Sequence, residues 1–458
     1  VLVFTPLNFS LFGQAFFHLK GAAVNLALLG AVIGGSVLGY RVGARWGRSP
    51  FWAAAGRRAA VVGVVAVVAA WATYGVASSG KSVACSRAAG TKPNVIILLV
   101  DACRRDALSC YGGVMPTPNV DAVASRGVVF NNAFTTVPNT NRAVMSIFTS
   151  RSPTVHGATV TDVAAAGIPT VAESLSAAGY YCEAIIGNPV LRPFIGYARG
   201  FHRYVMAWDP IRVRWLDYTV FPASYRRILQ RLVYPNDQMP ITEMVTDDVV
   251  SFLRRYDGSK PFFLYVHYLD PHNPYTPPAE YLRPPLPRVE EAKKKLATDA
   301  RNIRTYRVED AEVLRTLYMG EVAYVDERLG DIFQVLDERG LWANTVVVVT
   351  ADHGEAFGEH GAMDHHVHYD DVIRIPLIIR APSGPLSQPG RYEGAVSLLD
   401  LAPTILAWAG EPPLPGAEGV DLASLVARPD SGRFVYAEGR IRSDEPTSLH
   451  SHRFDVIE

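Results

Sequence analysis

The first acidic residue of this 458-residue chain is Asp101, and it closes a continuous aliphatic run, Val95 to Val100. Both facts constrain the fold. Six consecutive apolar residues, all Val, Ile or Leu, read as a strand buried on both faces, the kind found inside a parallel sheet. A hundred residues without Asp or Glu, rich in Gly and Ala, have the composition of membrane-inserted segments. Ala22 to Tyr40 and Ala59 to Ser78 are nearly charge-free and about 20 residues long, enough to cross a bilayer as helices. Val1 to Phe17 is apolar but broken by Asn8, Ser10 and Gln14, and reads as the end of another span. The chain begins with Val, so further spans are expected upstream. Arg41, Arg45, Arg48, Arg57 and Arg58 lie between the two spans. Positive loops stay cytoplasmic, so the chain beyond Ser78 is expected outside the cell membrane. Two buried core helices would explain the apolarity but not the missing acids.

The organisation expected is a membrane region over 1–78, a small polar linker over 79–92, and an extracytoplasmic domain over 93–458. Formal net charge is zero, so no polyanionic partner is implied and nucleic acid is excluded as one. Cys85, Cys103, Cys110 and Cys182 form no C-x-x-C pair, which argues against a zinc ribbon. An exported domain could pair two of them.

After the linker, strands alternate with helices. Tyr181 to Ile186, Phe262 to Val266, Thr345 to Val349 and Pro376 to Ile379 read as strands. Pro118 to Arg126, Thr170 to Ala178 and Leu314 to Arg339 read as helices, each followed directly by Gly. This alternation predicts an α/β domain with a mostly parallel central sheet and helices on both faces. Trp208 to Asp237, rich in Arg, Tyr and Leu, reads as a helical excursion with a basic face or a membrane-surface segment. Arg288 to Glu312 reads as a charged, solvated helix.

In parallel sheets, ligands bind beyond the carboxyl ends of the strands. Asp101 follows the first strand. His267, Asp270 and His272 follow Phe262 to Val266, and Asp352 and His353 follow Thr345 to Val349. Each alone would be a cap, a turn residue or a surface imidazole. Together at one edge they favour a metal site. Carboxylates with an imidazole suit Mn²⁺, Zn²⁺ or Mg²⁺ rather than Ca²⁺.

Four segments resemble the sulfatase family of the alkaline phosphatase superfamily, in that family's order. They are DACRRDALSCYG with PTPNVDAVASRGVVFNNAFT, YMGEVAYVDERLGDIFQVLDERGLWANTVVVVTADHGEAFGEHG, VIRIPLIIRAP, and SLLDLAPTILAWAG. The resemblance runs from about Pro93 to about Leu425 and implies an alkaline phosphatase-like fold. It makes Asp101, Asp352 and His353 metal ligands. The family's second Asp is Ala102 here, and His353 stands where many sulfatases have Asn. His272, in DPHNPY, matches a His that contacts the transferred group or the leaving oxygen. His365 falls near another such position, with His366 and His368 competing for it. Arg104 is expected to be structural. The smaller C-terminal sheet of such enzymes is expected only in part, beginning with a strand over Phe434 to Glu438.

Sulfatases carry a Cys in C-x-P-S-R that is oxidised to formylglycine. Aligned by Ser146-Ile147-Phe148-Thr149-Ser150, that position falls on Thr140, and Arg142 takes the Pro place. Thr cannot become formylglycine. A Thr hydroxyl beside a divalent cation can instead be acidified into a nucleophile for phosphorus, which makes Thr140 both metal ligand and nucleophile. His272 would protonate the leaving group, and Arg142 would hold a phosphate oxygen. The expected activity is therefore hydrolysis or transfer of a phosphate ester through a covalent Thr140 intermediate. The resemblance extends to envelope enzymes that move phosphoglycerol or phosphoethanolamine, whose substrates would be lipid-linked or cell-envelope glycans. The alternatives are a sulfatase without formylglycine and an inactive scaffold. Intact Asp101, Thr140, Asp352 and His353 argue against the scaffold.

Overall fold

The computed structural model describes residues 92–158, 167–207, 241–298, 308–428 and 432–439, and the backbone of 448–453. The spans expected over 1–78, Cys85, and the Trp208 to Asp237 insert lie outside the described residues. Among the described residues, no helix is long and apolar enough to cross a membrane.

The strands are β1 (Asn94–Val100), β2 (Val128–Phe134), β3 (Tyr181–Ile186), β4 (Arg203–Met206), β5 (Phe262–Tyr268) and β6 (Thr345–Thr350). There follow β7 (Ala356–Phe357), β8 (Met363–Asp364), β9 (Arg374–Ile375), β10 (Leu377–Arg380), β11 (Gly390–Ser397), β12 (Phe434–Gly439) and β13 (Ser448–Arg453). The main sheet runs β11-β2-β10-β6-β1-β5-β3-β4, with β9 on β2. Its centre, β6-β1-β5-β3, is parallel. The strand expected near Pro376 to Ile379 is β10. It runs antiparallel to both β6 and β2, so the mostly parallel sheet carries an antiparallel step.

Every residue of β1, β5 and β6 is buried. Successive side chains of a strand point to opposite faces, so both faces of the sheet centre are covered. Two groups of helices do this. The first contains α1 (Pro118–Ala124), and the second contains α2 (Thr140–Thr149) and α3 (Val171–Ala177). The first group is completed by α4 (Ile241–Arg255) and the 28-residue α5 (Ala311–Glu338), which packs on both α1 and α4. The second is completed by α6 (Leu401–Trp408), packed on α2 and α3. A capping box, Thr170 with Glu173, starts α3. Val289–Thr298 is a helix with mostly solvated charges, including a Lys293–Glu290 pair. A separate two-stranded antiparallel sheet, β12 with β13, begins at the late strand expected from the sequence.

Candidate metal centre and nucleophile turn

The parallel strands deliver their next residues to one edge. Asp101 follows β1 and turns at once, because Ala102 adopts a left-handed φ of 54°. Asp352 and His353 follow β6. Gly354 comes next because the turn lies against backbone: a Cβ there would sit 2.1 Å from the Asp371 carbonyl oxygen. Asp101, Asp352 and His353 are all fully buried.

Each carboxylate has one engaged and one bare oxygen. Asp101 Oδ2 accepts from Asn188 Nδ2 at 2.5 Å. Asp352 Oδ1 accepts from the backbone N–H of Ala102 (3.2 Å) and of His353 (3.0 Å). Asp101 Oδ1 and Asp352 Oδ2 are buried without any hydrogen-bond partner. These bare oxygens face His353 Nε2, at 3.7 and 3.6 Å. His353 Nδ1 lies 2.9 Å from the Gly354 carbonyl oxygen. Nδ1 therefore carries the proton, and the Nε2 lone pair points inward. Burial, then the nearby His365, pushes the His353 pKa well below the ordinary histidine value, so the ring is neutral. Thr140 Oγ1 completes the set, 3.4 Å from His353 Nε2.

Two bare carboxylate oxygens, a neutral imidazole nitrogen and a hydroxyl thus converge. The three oxygens lie 3.4 to 3.7 Å from His353 Nε2, which suits neighbouring donors around an ion ligated at about 2.0–2.2 Å. The electrostatics agree. Burial, then the Asp352 charge, pushes the Asp101 carboxyl up to about 8. Two unpaired buried carboxylates are costly unless a cation sits between them. The residues present therefore fit a divalent metal ion, and Asp101, Asp352, His353 and Thr140 would hold it.

Thr140 is the first residue of α2, and its neighbour Asn139 is the N-cap, accepting from the Arg142 N–H at 3.3 Å. Because Asn139 caps the helix, the Thr140 hydroxyl is left to face the cluster. The helix start adds a positive electrostatic end there. The Arg142 side chain is half-buried, and among the described residues its guanidinium has no hydrogen-bond or ion-pair partner. Ser146 and Ser150 are structural: Ser146 Oγ bonds Thr136 and His156, and Ser150 is a left-handed cap donating to the Leu399 carbonyl.

His272 and His365 stand beside this cluster. Their ring centroids are 5.2 Å apart, and His365 stacks on His353 at 4.3 Å. His272 Nδ1 lies 2.8 Å from the Asn273 carbonyl oxygen, which leaves Nε2 free. Burial opposes its charge most strongly, but Asp101, Glu355 and the Asn273 carbonyl together overcome it and raise the His272 pKa. Burial likewise opposes charge on His365, but Asp364 and Glu355 overcome it and push the pKa up to about 11. Of the three candidates in the DHHVH run, only His365 stacks on His353. His366 is 77% exposed, and His368 contacts the Glu438 carbonyl instead.

Of the remaining neighbours, His267 was named at the strand edge, whereas Asn188 and Glu355 were not singled out from the sequence. His267 was expected after a strand but lies inside β5, fully buried, with Nε2 3.8 Å from Asp101 Oδ2. Asn188 follows β3, so the strand-edge rule that found Asp101 would also have found it. Glu355 is in the DHGE motif and is fully buried, with neither oxygen accepting a hydrogen bond. Arg104 is structural, as expected, bonded to Asp106, Glu359 and the Glu355 carbonyl. Cys103, Cys110 and Cys182 are free thiols, so no disulfide joins the described cysteines to each other.

The sulfatase family model matches residues 93–411. The chain belongs to the sulfatase family. Members of this family are metal-dependent hydrolases, in keeping with the Asp101–Asp352–His353 cluster. An arylsulfatase of Clostridium perfringens is 26% identical over 394 residues, covering 76% of this chain and 81% of that protein. The multifunctional alkaline phosphatase superfamily protein PehA of Trinickia caryophylli is 26% identical, covering 80% of each. The crystal structure of a phosphonate monoester hydrolase of Agrobacterium radiobacter superposes with a TM-score of 0.59 at 22% identity, covering 77% of this chain and 81% of that one. That last likeness establishes the fold.

Proposed function

We propose that this sulfatase-family chain cleaves a phosphate ester through a covalent Thr140 intermediate, passing the phosphoryl group to water or another alcohol. One observation carries the reading: the hydroxyl that meets the buried Asp–Asp–His cluster belongs to Thr140, a residue that cannot become formylglycine. Asp101, Asp352, His353 and Thr140 would hold Mn²⁺, Zn²⁺ or Mg²⁺ rather than Ca²⁺, given the imidazole. When bound, the ion supplies Lewis acidity, acidifying an adjacent hydroxyl and offsetting charge on the transferred group. Thr140 Oγ, as the alkoxide whose proton has already gone to bulk water, bonds phosphorus as the bond to the leaving oxygen breaks. The His272 imidazolium donates its Nε2 proton to that oxygen, with Nδ1 held by the Asn273 carbonyl. Arg142 and His365 hold the non-bridging oxygens by charge-assisted bonds. In the second half His272 takes a proton from the accepting water or alcohol, which displaces Thr140.

The names of the relatives support a second reading, sulfate ester hydrolysis. The acid-free N-terminal region supports anchoring in the cell membrane with the catalytic domain outside, and a lipid-linked or envelope-glycan substrate. The test uses the full chain loaded with Mn²⁺ or Zn²⁺ and assayed on aryl phosphate monoester, phosphodiester and sulfate, with Thr140→Ala as control. Phosphate turnover that Thr140→Ala abolishes supports the proposal. Turnover of sulfate alone favours the second reading, and full activity of Thr140→Ala rejects the nucleophile.

A further inference from the structure

Glu355 stands out among the described residues as a buried carboxylate on which the chemistry above makes no demand. It is fully buried, and neither oxygen accepts a hydrogen bond. A buried carboxyl in that state calls for a polar partner. The side chain in reach is the His365 imidazole, whose Nδ1 lies 3.5 Å from Glu355 Oε1. We infer that Glu355 is a positioning residue that, with Asp364, holds the His365 ring against His353 at the edge of the metal centre.

The backbone explains how. Glu355 immediately precedes β7 and His365 immediately follows β8. These short strands pair antiparallel, with Ala356 opposite Asp364, so the hairpin brings Glu355 and His365 face to face. Asp364 sits at a left-handed φ of 70°. It accepts the His365 backbone N–H at 2.7 Å and places the same Oδ1 2.6 Å from His365 Nδ1. Nδ1 thus lies between two carboxylates, and the opposite ring nitrogen is free for an anionic substrate. Arg104 fixes the hairpin from below, donating to the Glu355 carbonyl at 2.9 Å and to Glu359 Oε1 at 2.7 Å. Glu359 Oε2 in turn accepts the Phe357 N–H at 2.5 Å. The ring is thereby stacked on His353 at an interplanar angle of 28°. A group that acts only by orienting another is coupled to it, so removing both costs no more than removing the second alone.

This inference rests on the proposed role of His365, and a double-mutant cycle separates the two. The full chain, loaded with Mn²⁺, is assayed on an aryl phosphate as wild type, Glu355→Gln, His365→Ala and the double variant, with bound Mn²⁺ measured in each. Glu355→Gln should lower kcat about tenfold, in the range of lost outer-shell partners, with Mn²⁺ content unchanged. The double variant should match His365→Ala within about twofold. Multiplying effects in the double variant, or full activity of Glu355→Gln, overturns the positioning role while leaving the His365 reading intact. Full activity of His365→Ala rejects that reading and this inference together. Glu355→Asp keeps the carboxyl but draws it back by one methylene, so it tests the claim even if Glu355→Gln does not fold. It too should lose rate in wild type and not in a His365→Ala background, and equal losses in both backgrounds overturn the inference.

Discussion

The two halves of the site are built differently. Asp101, Asp352 and His353 leave the ends of adjacent parallel strands and are fully buried; the Asn188 amide orients Asp101, and backbone N–H and carbonyl groups orient Asp352 and His353. His272, His365 and Arg142 sit on a loop, beside a two-stranded hairpin and in a helix's first turn, and keep some exposure. The strand-end half is a fixed holder of charge whose geometry is that of the sheet. The other half touches what varies: the transferred group, the leaving oxygen and solvent. Thr140 bridges them, with its backbone in α2 and its hydroxyl in the cluster. Damage to the first half should remove metal and stability together, whereas damage to the second should remove rate alone.

The largest effect is expected at the bridge. Thr140→Ala should lower kcat at least about 10³-fold, as removal of a nucleophile does, while the fold persists. His353→Ala should abolish activity as well, but through loss of bound Mn²⁺. A chelator should lower the wild-type melting temperature and leave that of His353→Ala unmoved, because only a protein that binds the ion gains stability from it. Equal metal content in His353→Ala and wild type would break the comparison.

Next comes His272→Gln, expected to lower kcat about 10²- to 10³-fold on an alkyl phosphate. The loss should be much smaller on a nitrophenyl phosphate, whose leaving oxygen needs no proton, with metal content unchanged throughout. A loss independent of the leaving group would remove His272 from the acid role. Arg142→Ala should act mainly on KM, raising it about 10- to 100-fold, the value of a charge-assisted hydrogen bond. Arg142→Lys should recover only part of this, because a point charge lacks the planar fork.

The smallest effect lies beneath the site. His156 is buried under α2, with Nε2 3.1 Å from the Arg142 carbonyl and Nδ1 accepting the Ala158 N–H. Burial pulls its pKa from 6.5 to about 4. Between those values the unfolded chain binds a proton that the native chain does not. Its contribution is therefore complete above about pH 6.5 and falls as pH drops toward 4, by at most about 3 kcal/mol. Denaturant titrations across that window should show the decline in wild type and a flatter profile in His156→Gln.

This division also explains what the sequence made legible. β1, β5 and β6 each contain an unbroken apolar run, so both the strands and the acids behind them could be read directly. β2, VVFNNAF, is interrupted by two half-buried Asn residues. β11 is an edge strand with exposed alternate residues, and neither carries that signal. The antiparallel direction of β10 has no local signature, since direction depends on the path of the connecting chain. His365 could not be chosen over His366 and His368 by spacing, because the hairpin that turns it inward depends on Ala356 and Asp364 pairing across β7 and β8, which sets Glu355 beside His365. Asn188 and Glu355 were readable as polar residues near strand ends, but their partners lie 87 and 10 residues away.

The covalent role of Thr140 is tested most directly by stopping the reaction. Mn²⁺-loaded full chain is mixed with excess aryl phosphate, quenched in acid during turnover, digested with trypsin and analysed by mass spectrometry. The peptide from Gly127 to Arg142 also contains Thr135 and Thr136, so fragmentation must locate the adduct. The account predicts a phosphoryl group on Thr140, absent from Thr140→Ala. Active turnover with that peptide unmodified, or with the adduct on another residue, would contradict it.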